Sequence, residues 1–371
     1  MRICTAVSRN ALPYARVLAA SVAVQHPGAE FVALVVDDLD GALGEREPFR
    51  VLSPLEIGVD ERELCREATM YTTQQLVSAL KSRLLRFLLG QEDTPLLLFD
   101  ADVCVYSSLE PLLERARLHQ VVISPHSLEP LPSTAGISGD KVFMRVGVFN
   151  GGFLGIGSGA ERFLDWWTAH SVRDCVLDLA NGLHLSQSWL ALVPALFEHH
   201  VLRDPGSNVM AHNLAGRDVE LAPDGRLEIA GAPLRFFHFT MFDPATRAWR
   251  RNPSWWWIPD LRDRPGTARL CDEYAERLYS CGYAERVVPR FERLPDGRPL
   301  TAPMRRAYRD GLLAAERAGG TEPPNPFVEG ARRFDAWLAE RVESRRRGLR
   351  TRLDAAAEVE AAVARHNKLA Y

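Results

Sequence analysis

The apolar run Leu96-Leu97-Leu98-Phe99 stops on Asp100-Ala101-Asp102 and resumes as Val103-Cys104-Val105. A short, unbroken run of this kind, set off by Thr94-Pro95, reads as a strand buried on both faces of a sheet. Side chains alternate along an extended chain, so Asp100 and Asp102 lean to the same side of it. Two carboxylates closing an interior strand cost stability unless their charge is compensated. A divalent cation between them would compensate it, and the rest of the chain is read here as a site built round that pair.

The preceding chain predicts a parallel α/β sheet. Residues 2–7 predict a first buried strand, ending at Ser8-Arg9-Asn10. A helix follows with Tyr14, Val17, Leu18, Ser21, Val22 and Val24 on its apolar face, and Glu30 to Val36 predicts a second strand closed by Asp37-Asp38. Strand, helix, strand is the opening of a parallel sheet, whose ligands sit beyond the carboxyl ends of the strands, where Ser8 and Asp37 fall. No Gly-x-Gly-x-x-Gly follows the first strand, so the dinucleotide fingerprint is absent. From Gln74 to Leu89 a helix carries Leu76, Leu80, Leu84, Phe87 and Leu88 inward, with Lys81, Arg83 and Arg86 among them. Such bases usually form a solvated face. The sharper reading aims Lys81 or Arg86 at phosphate beside the metal.

After Asp102 the pattern predicts a helix around Leu109–Arg117, a strand over Val121–Ser124 and a long Ser/Pro/Gly-rich loop from Pro125 to Lys141. Loops of that length in a compact domain tend to be lids or disordered. Asn150-Gly151-Gly152 separates two apolar runs, Val146–Phe149 and Phe153–Ile156. The glycines fit either a close approach to a ligand or a plain turn or bulge. Ser186 is placed to cap a helix running through Phe197. His238 lies on the apolar strand Leu234–Phe239. A lone histidine in that setting is more often a core residue than a ligand, but two acids already posing as ligands raise its weight. Trp255-Trp256-Trp257 beside Arg250 and Arg251 suits packing better than base stacking.

The chain of 371 residues is long enough for one large domain with an appendage. The boundary is placed between residues 262 and 263, with 263–371 a helical C-terminal extension and Thr321-Glu322-Pro323-Pro324-Asn325-Pro326-Phe327 a stiff linker inside it. A formal net charge of −3 makes no case for nucleic-acid binding. Six scattered cysteines without Cys-x-x-Cys read as reduced thiols. No signal peptide or membrane-spanning run is evident, so the expected location is cytoplasmic. Arg345-Arg346-Arg347 on a late helix offers peripheral membrane contact as a further expectation, against a solvated face shared with Glu340 and Glu343.

Taken together, residues 1 to about 245 resemble the retaining GT-A glycosyltransferases of family 8, the group of glycogenin and the bacterial lipopolysaccharide galactosyltransferases. The resemblance rests on the Thr5-Ala6-Val7 strand, the Lys81 helix, Phe99-Asp100-Ala101-Asp102, Phe149-Asn150-Gly151-Gly152-Phe153, Ser186-Gln187-Ser188-Trp189-Leu190 and Phe237-His238-Phe239. It implies a GT-A fold, a Rossmann-like and mostly parallel sheet flanked by helices, and a transferase of the hexosyltransferase kind. Mn²⁺ or Mg²⁺ would be held by Asp100, Asp102 and His238. Oxygen ligands suit hard divalent cations, and the imidazole favours Mn²⁺. The nucleotide of the donor, a UDP-sugar in the first instance, would lie against Thr5, Ala6, Val7, Ser8, Lys81, Asp100 and Ala101. Asn150, Gly151, Gly152 and Ser186 would meet the donor sugar, and Gln187 would sit under the anomeric carbon. The acceptor would be a glycan, a lipid-linked sugar or a small molecule.

Two positions depart from the family pattern. An acid usually precedes the glutamine, where this chain has Ser186, and a glycine usually stands three residues after the histidine, where it has Met241. Those departures keep a second hypothesis open, a catalytically silent nucleotide-sugar-binding protein on the same fold. A sugar nucleotidyltransferase ranks lower, because Ser8-Arg9-Asn10-Ala11 lacks the glycine-rich loop a triphosphate needs.

Overall fold

The computed structural model describes residues 1–343 except 40, 42, 45, 132–139, 216, 251–259 and 286. Trp255-Trp256-Trp257, Arg251 and Arg345-Arg346-Arg347 lie outside the described residues, as do residues 132–139 of the long loop after Pro125.

The chain divides into two compact units, one of residues 1–67 and 73–290, the other of 68–72 and 291–371. The first is a mixed α/β structure around a seven-stranded, mostly parallel sheet flanked by helices. Its strands include β1 (Arg2–Val7), β2 (Glu30–Val35), β3 (Arg50–Leu52), β4 (Leu96–Phe99), β6 (Val121–Pro125) and β7 (Phe149–Ile156), while β5 (Val103–Val105) stands apart. The order across the sheet is His199–Val201, β6, β7, β4, β1, β2, β3, with β7 antiparallel to both its neighbours. Helix α1 (Leu12–Gln25) lies between β1 and β2, and helices α2 (Glu61–Met70) and α3 (Thr73–Gln91) follow one another between β3 and β4. The hydrophobic pattern specified these elements well, since β1 and β4 are buried along their whole length. Val24 is the exception on α1: it is 75% exposed and faces solvent.

Asn150-Gly151-Gly152 does not form a turn between two strands. A single strand, β7, runs through it, and the pairing with β6 slips there: Ile123 faces Leu154, and Ser124 faces Asn150. Residues 151–153 are thus left over on the β6 side, a bulge that re-aims the strand end beside β4. The short strand Phe236–His238 pairs antiparallel with β5, which sets His238 opposite Val103. Phe99, Phe153 and Phe236 meet beneath this junction with ring centroids 5.1–5.4 Å apart. Each aromatic contact contributes about 0.5–1.5 kcal/mol beyond its buried area. The trio therefore fixes the three strand ends that carry the site.

The boundary expected after residue 262 precedes the helix Pro265–Ser280, whose Leu270, Tyr274 and Leu278 pack in one core cluster with Phe237 and Phe239. Burial of that amphipathic face ties the helix to the first unit. In the second unit, the helix Ala302–Ala318 buries Tyr308, Leu312 and Ala315 and ends at Gly319, in the left-handed conformation that closes many helices. The expected linker is folded into this unit: Asn325 is buried, and its amide donates to Thr69 Oγ1 and Tyr308 Oη, each at 3.1 Å. No described helix is long and apolar enough to cross a membrane.

Candidate metal and donor site

Asp100 and Asp102 stand where β4 ends, and the turn between them and β5 brings both carboxylates to one side. His238 arrives from the paired strand. Its Nε2 lies 3.1 Å from Asp102 Oδ1 and 3.9 Å from Asp100 Oδ2. One ligand atom from each of the three residues falls within 4.8 Å of the others, the only such His/Cys/Asp/Glu group among the described residues. Phe239 N donates to Asp102 O at 2.7 Å, and Asp100 N to Gly152 O at 2.8 Å, so the backbone carrying the acids is pinned from both neighbouring strands.

Each carboxylate has its own partner. Lys81 is buried on α3 and pairs with Asp100, while donating to Gly151 O at 3.0 Å. Burial pushes the Asp102 carboxyl up, but the adjacent His238 outweighs that and holds it below its ordinary value. Burial likewise pushes the His238 imidazole down, and Asp102 reverses the direction, so its pKa is raised. Asp100 and Asp102 each keep about a third of their side-chain surface exposed, at 30% and 32%. They remain open to a ligand.

Two observations test whether these residues suit a cation. The ring of His238 is buried, yet its Nδ1 has no hydrogen-bond partner. Its Nε2 faces both carboxylates, so the nitrogen that a cation would take is already turned toward the acids. Gly152 supplies the space: a Cβ there would sit 2.6 Å from Asn150 Oδ1 and 2.9 Å from His238 Nδ1. Two carboxylates and an imidazole in this cradle fit a divalent cation.

A cleft of about 470 Å³ opens over the group, lined among others by Ala6, Val7, Ser8, Lys81, Asp100 and Asp102. Ala101 also lines it. Thr5 is fully buried behind this surface, and its hydroxyl has no partner. Asp37 is structural: its carboxylate accepts from the backbone N–H of Arg9 at 2.8 Å and of Arg290 at 3.1 Å.

The candidate sugar-facing residues lie alongside. Asn150 Oδ1 accepts from Gly152 N at 2.6 Å. Gln187 is held at both ends of its amide, Oε1 accepting from Gly151 N and Nε2 donating to Val146 O, each at 2.8 Å. Ser186 is no helix cap. The segment Leu185–Leu192 is a 3-10 helix that begins one residue earlier, and the Ser186 hydroxyl is buried against Ser78 Oγ at 2.7 Å. Arg86 turns away from the cleft to Asp165, at 3.1 Å, and Arg83 pairs with Glu67. Of the three bases on α3, Lys81 alone serves the site.

Tyr14, Met241 and Arg250 also line the cleft. From the sequence Tyr14 reads as part of a core face, Met241 stands out only as a departure from the family pattern, and Arg250 reads as packing beside the tryptophan run. Only the turn after His238 brings Met241 and Arg250 back over the cleft.

No protein-family model matches the chain, and no curated protein matches it. Among solved structures the chain is similar to the galactosyltransferase LgtC, crystallised with donor and acceptor sugar analogs. The identity is 18% and the TM-score 0.44, over 78% of this chain and 98% of that one. It is similar to mouse xyloside xylosyltransferase 1 in its apo form, at 12% identity and a TM-score of 0.38, over 64% and 97%. It is also similar to the glycosyltransferase GlyE of Streptococcus pneumoniae, at 12% and 0.41, over 78% and 66%. These likenesses are remote. What the chain does must be read from its own cleft.

Proposed function

We propose that this chain is a metal-dependent retaining glycosyltransferase, moving a sugar from a nucleotide-sugar donor to a hydroxyl acceptor. One observation supports that reading above the rest: Asp100, Asp102, His238 and Lys81 converge at the carboxyl ends of the sheet, on an open cleft. Ligands of open α/β sheets bind at that edge.

Asp100, Asp102 and His238 would hold Mn²⁺, or Mg²⁺. Such a cation stabilises the charge that grows on a diphosphate as it departs. Lys81 keeps Asp100 in place and adds a positive charge beside the same oxygens. Ala6, Val7, Ser8 and Ala101 form the wall against which the nucleotide, UDP in the first instance, would lie, with Thr5 behind them. Asn150, Gly151, Gly152 and Ser186 are the proposed sugar-side residues. Ser186 would act through its backbone or through Ser78, since its hydroxyl is taken. The carboxamide of Gln187, fixed by Gly151 and Val146, is suited to stabilising a passing positive charge rather than moving a proton. Retention follows from the family resemblance. A glycan, a lipid-linked sugar or a small molecule would be the acceptor, and a reducing cytoplasmic setting accords with six free cysteines.

A second reading, the silent binding protein, draws support from Ser186, which supplies no carboxylate and spends its hydroxyl on Ser78. One assay separates them. The protein is incubated with Mn²⁺ and UDP-, GDP- and dTDP-sugars, and melting temperature and donor hydrolysis are followed. Metal-dependent stabilisation with turnover supports the transferase. Stabilisation without turnover, even with acceptors supplied, supports the binding protein. No metal-dependent stabilisation by any donor overturns both.

A further inference from the structure

Two bulky apolar residues on the cleft wall hold left-handed backbone conformations. Leu185 has φ 56° and Met241 φ 63°, and both line the cleft over Lys81, Asp100 and Asp102. A side chain at such a φ crowds its own backbone, so glycine or asparagine ordinarily fills the position. Three other non-glycine residues among those described share the feature. Asn208 is a type that tolerates it, while Ala230 and Arg247 are exposed residues between short paired strands. Leu185 and Met241 have neither excuse.

Both are locked where they stand. Met241 is the third residue of a turn closed by Phe242 N donating to Phe239 O at 2.9 Å, a place where positive φ normally calls for glycine. Its own carbonyl accepts from Arg250 N at 2.8 Å. Leu185 N donates to Val176 O at 2.9 Å, at the start of the turn that delivers Ser186 and Gln187. Neither side chain is part of the buried core; each is half-buried and open to the cleft. Strain of this kind persists where surroundings over-determine it, and it gathers at binding sites.

We propose that Leu185 and Met241 are the specificity-determining residues of the cleft, two apolar jaws that select the donor delivered to the acids and Lys81. The inference rests on the donor-binding reading of the same cleft. Neither jaw offers a hydrogen bond from its side chain, so a donor hydroxyl pressed against them would lose its water partners without replacement. They suit a carbon-bound part of the donor: a ring C–H face, a deoxy carbon or an acetyl methyl. Leu185 bears on the sugar, being two residues from Gln187, and Met241 flanks the metal group, three residues from His238.

The test compares wild type with Leu185→Gly and Met241→Gly, using Mn²⁺ with UDP, UDP-glucose, UDP-N-acetylglucosamine and dTDP-rhamnose as probes. Melting temperature and calorimetric affinity are read. Wild type is expected to prefer one sugar nucleotide. Each glycine variant should cut that preference by roughly tenfold, the scale on which apolar pockets discriminate. The unliganded melting temperature should be held or raised, because glycine accepts the backbone freely. Should a glycine variant not fold, Leu185→Asn or Met241→Asn replaces it, since asparagine tolerates positive φ. Folded variants with an unchanged preference overturn this inference and leave the transferase reading standing. A wild-type protein that binds none of the probes overturns both.

Discussion

His238 Nε2 lies 3.1 Å from Asp102 Oδ1 because the strand Phe236–His238 pairs with β5 in a register that sets His238 opposite Val103, the residue after Asp102. Strand pairing, rather than proximity in sequence, makes the site. Sliding that pairing by one residue would turn the imidazole to the other face.

Asp102→Ala is expected to abolish Mn²⁺-dependent stabilisation while leaving the fold intact, since the carboxylate is a third exposed and its partner His238 can rest as a neutral ring once the acid is gone. With ligand at a hundredfold excess over its dissociation constant, the wild-type protein should gain about 2.7 kcal/mol, and the variant none. Thermal melts with and without Mn²⁺ and UDP decide it. Equal gains in both proteins would remove Asp102 from the site.

Gly152→Ala tests the cradle. The new methyl would fall 2.6 Å from Asn150 Oδ1 and 2.9 Å from His238 Nδ1. Neither neighbour is the free end of a flexible chain, so the variant should lose about 2 kcal/mol of stability and bind Mn²⁺ weakly. Urea unfolding reads the first effect and the Mn²⁺ spin-resonance signal the second. A stable variant with wild-type metal affinity would show that the ring has room to move.

Lys81→Met separates the metal from the diphosphate. Lys81 donates to Gly151 O as well as pairing with Asp100. Because Asp100 keeps access to solvent, loss of the pair should cost only about 1 kcal/mol. Calorimetry should find Mn²⁺ binding retained and UDP binding weakened by roughly tenfold or more, the worth of a charge-assisted contact. Unchanged UDP affinity would assign Lys81 to holding Asp100 alone.

Much of this arrangement was legible in the sequence, and the limits are physical. The buried strands and α3 announce themselves by continuous or periodic apolar runs, and Asp100 and Asp102 by the cost of ending such a run in charge. His238 could be weighed only once the acids were in hand, because its own short apolar strand reads like any core segment and nothing in it marks the imidazole as a ligand. Ser186 looked like a cap, since serine before a polar-apolar segment usually is one. A positive φ at Leu185 and a neighbouring hydroxyl on Ser78 made it a buried tether instead. Lys81 and Arg86 stand five residues apart on α3 and so face different ways, but which face meets the site shows only in the fold, where Lys81 is buried and Arg86 pairs with the exposed Asp165. The proline-rich stretch near Asn325 read as a linker because its contacts, to Thr69 and Tyr308, are distant in sequence.

Acid should unfold the first unit through two buried imidazoles. Burial pushes His126 down to about 4 and His212 down to about 3. A histidine whose folded pKa is depressed favours the fold above its unfolded pKa near 6.5, and that advantage is lost as pH falls toward the folded value. Between pH 6.5 and 5 each ring should therefore cost about 2 kcal/mol. Glu67 works in the opposite sense. Burial raises it to about 7, so its protonation favours the fold as pH drops from 7 to its ordinary value of 4.5. The raw pH profile mixes these terms, so the measurement is a difference. Urea unfolding of wild type and His126→Gln at pH 7 and pH 5 should show the stability gap between them shifting by about 2 kcal/mol in favour of the variant at pH 5. A gap that stays constant would mean that His126 takes up its proton without leaving the fold.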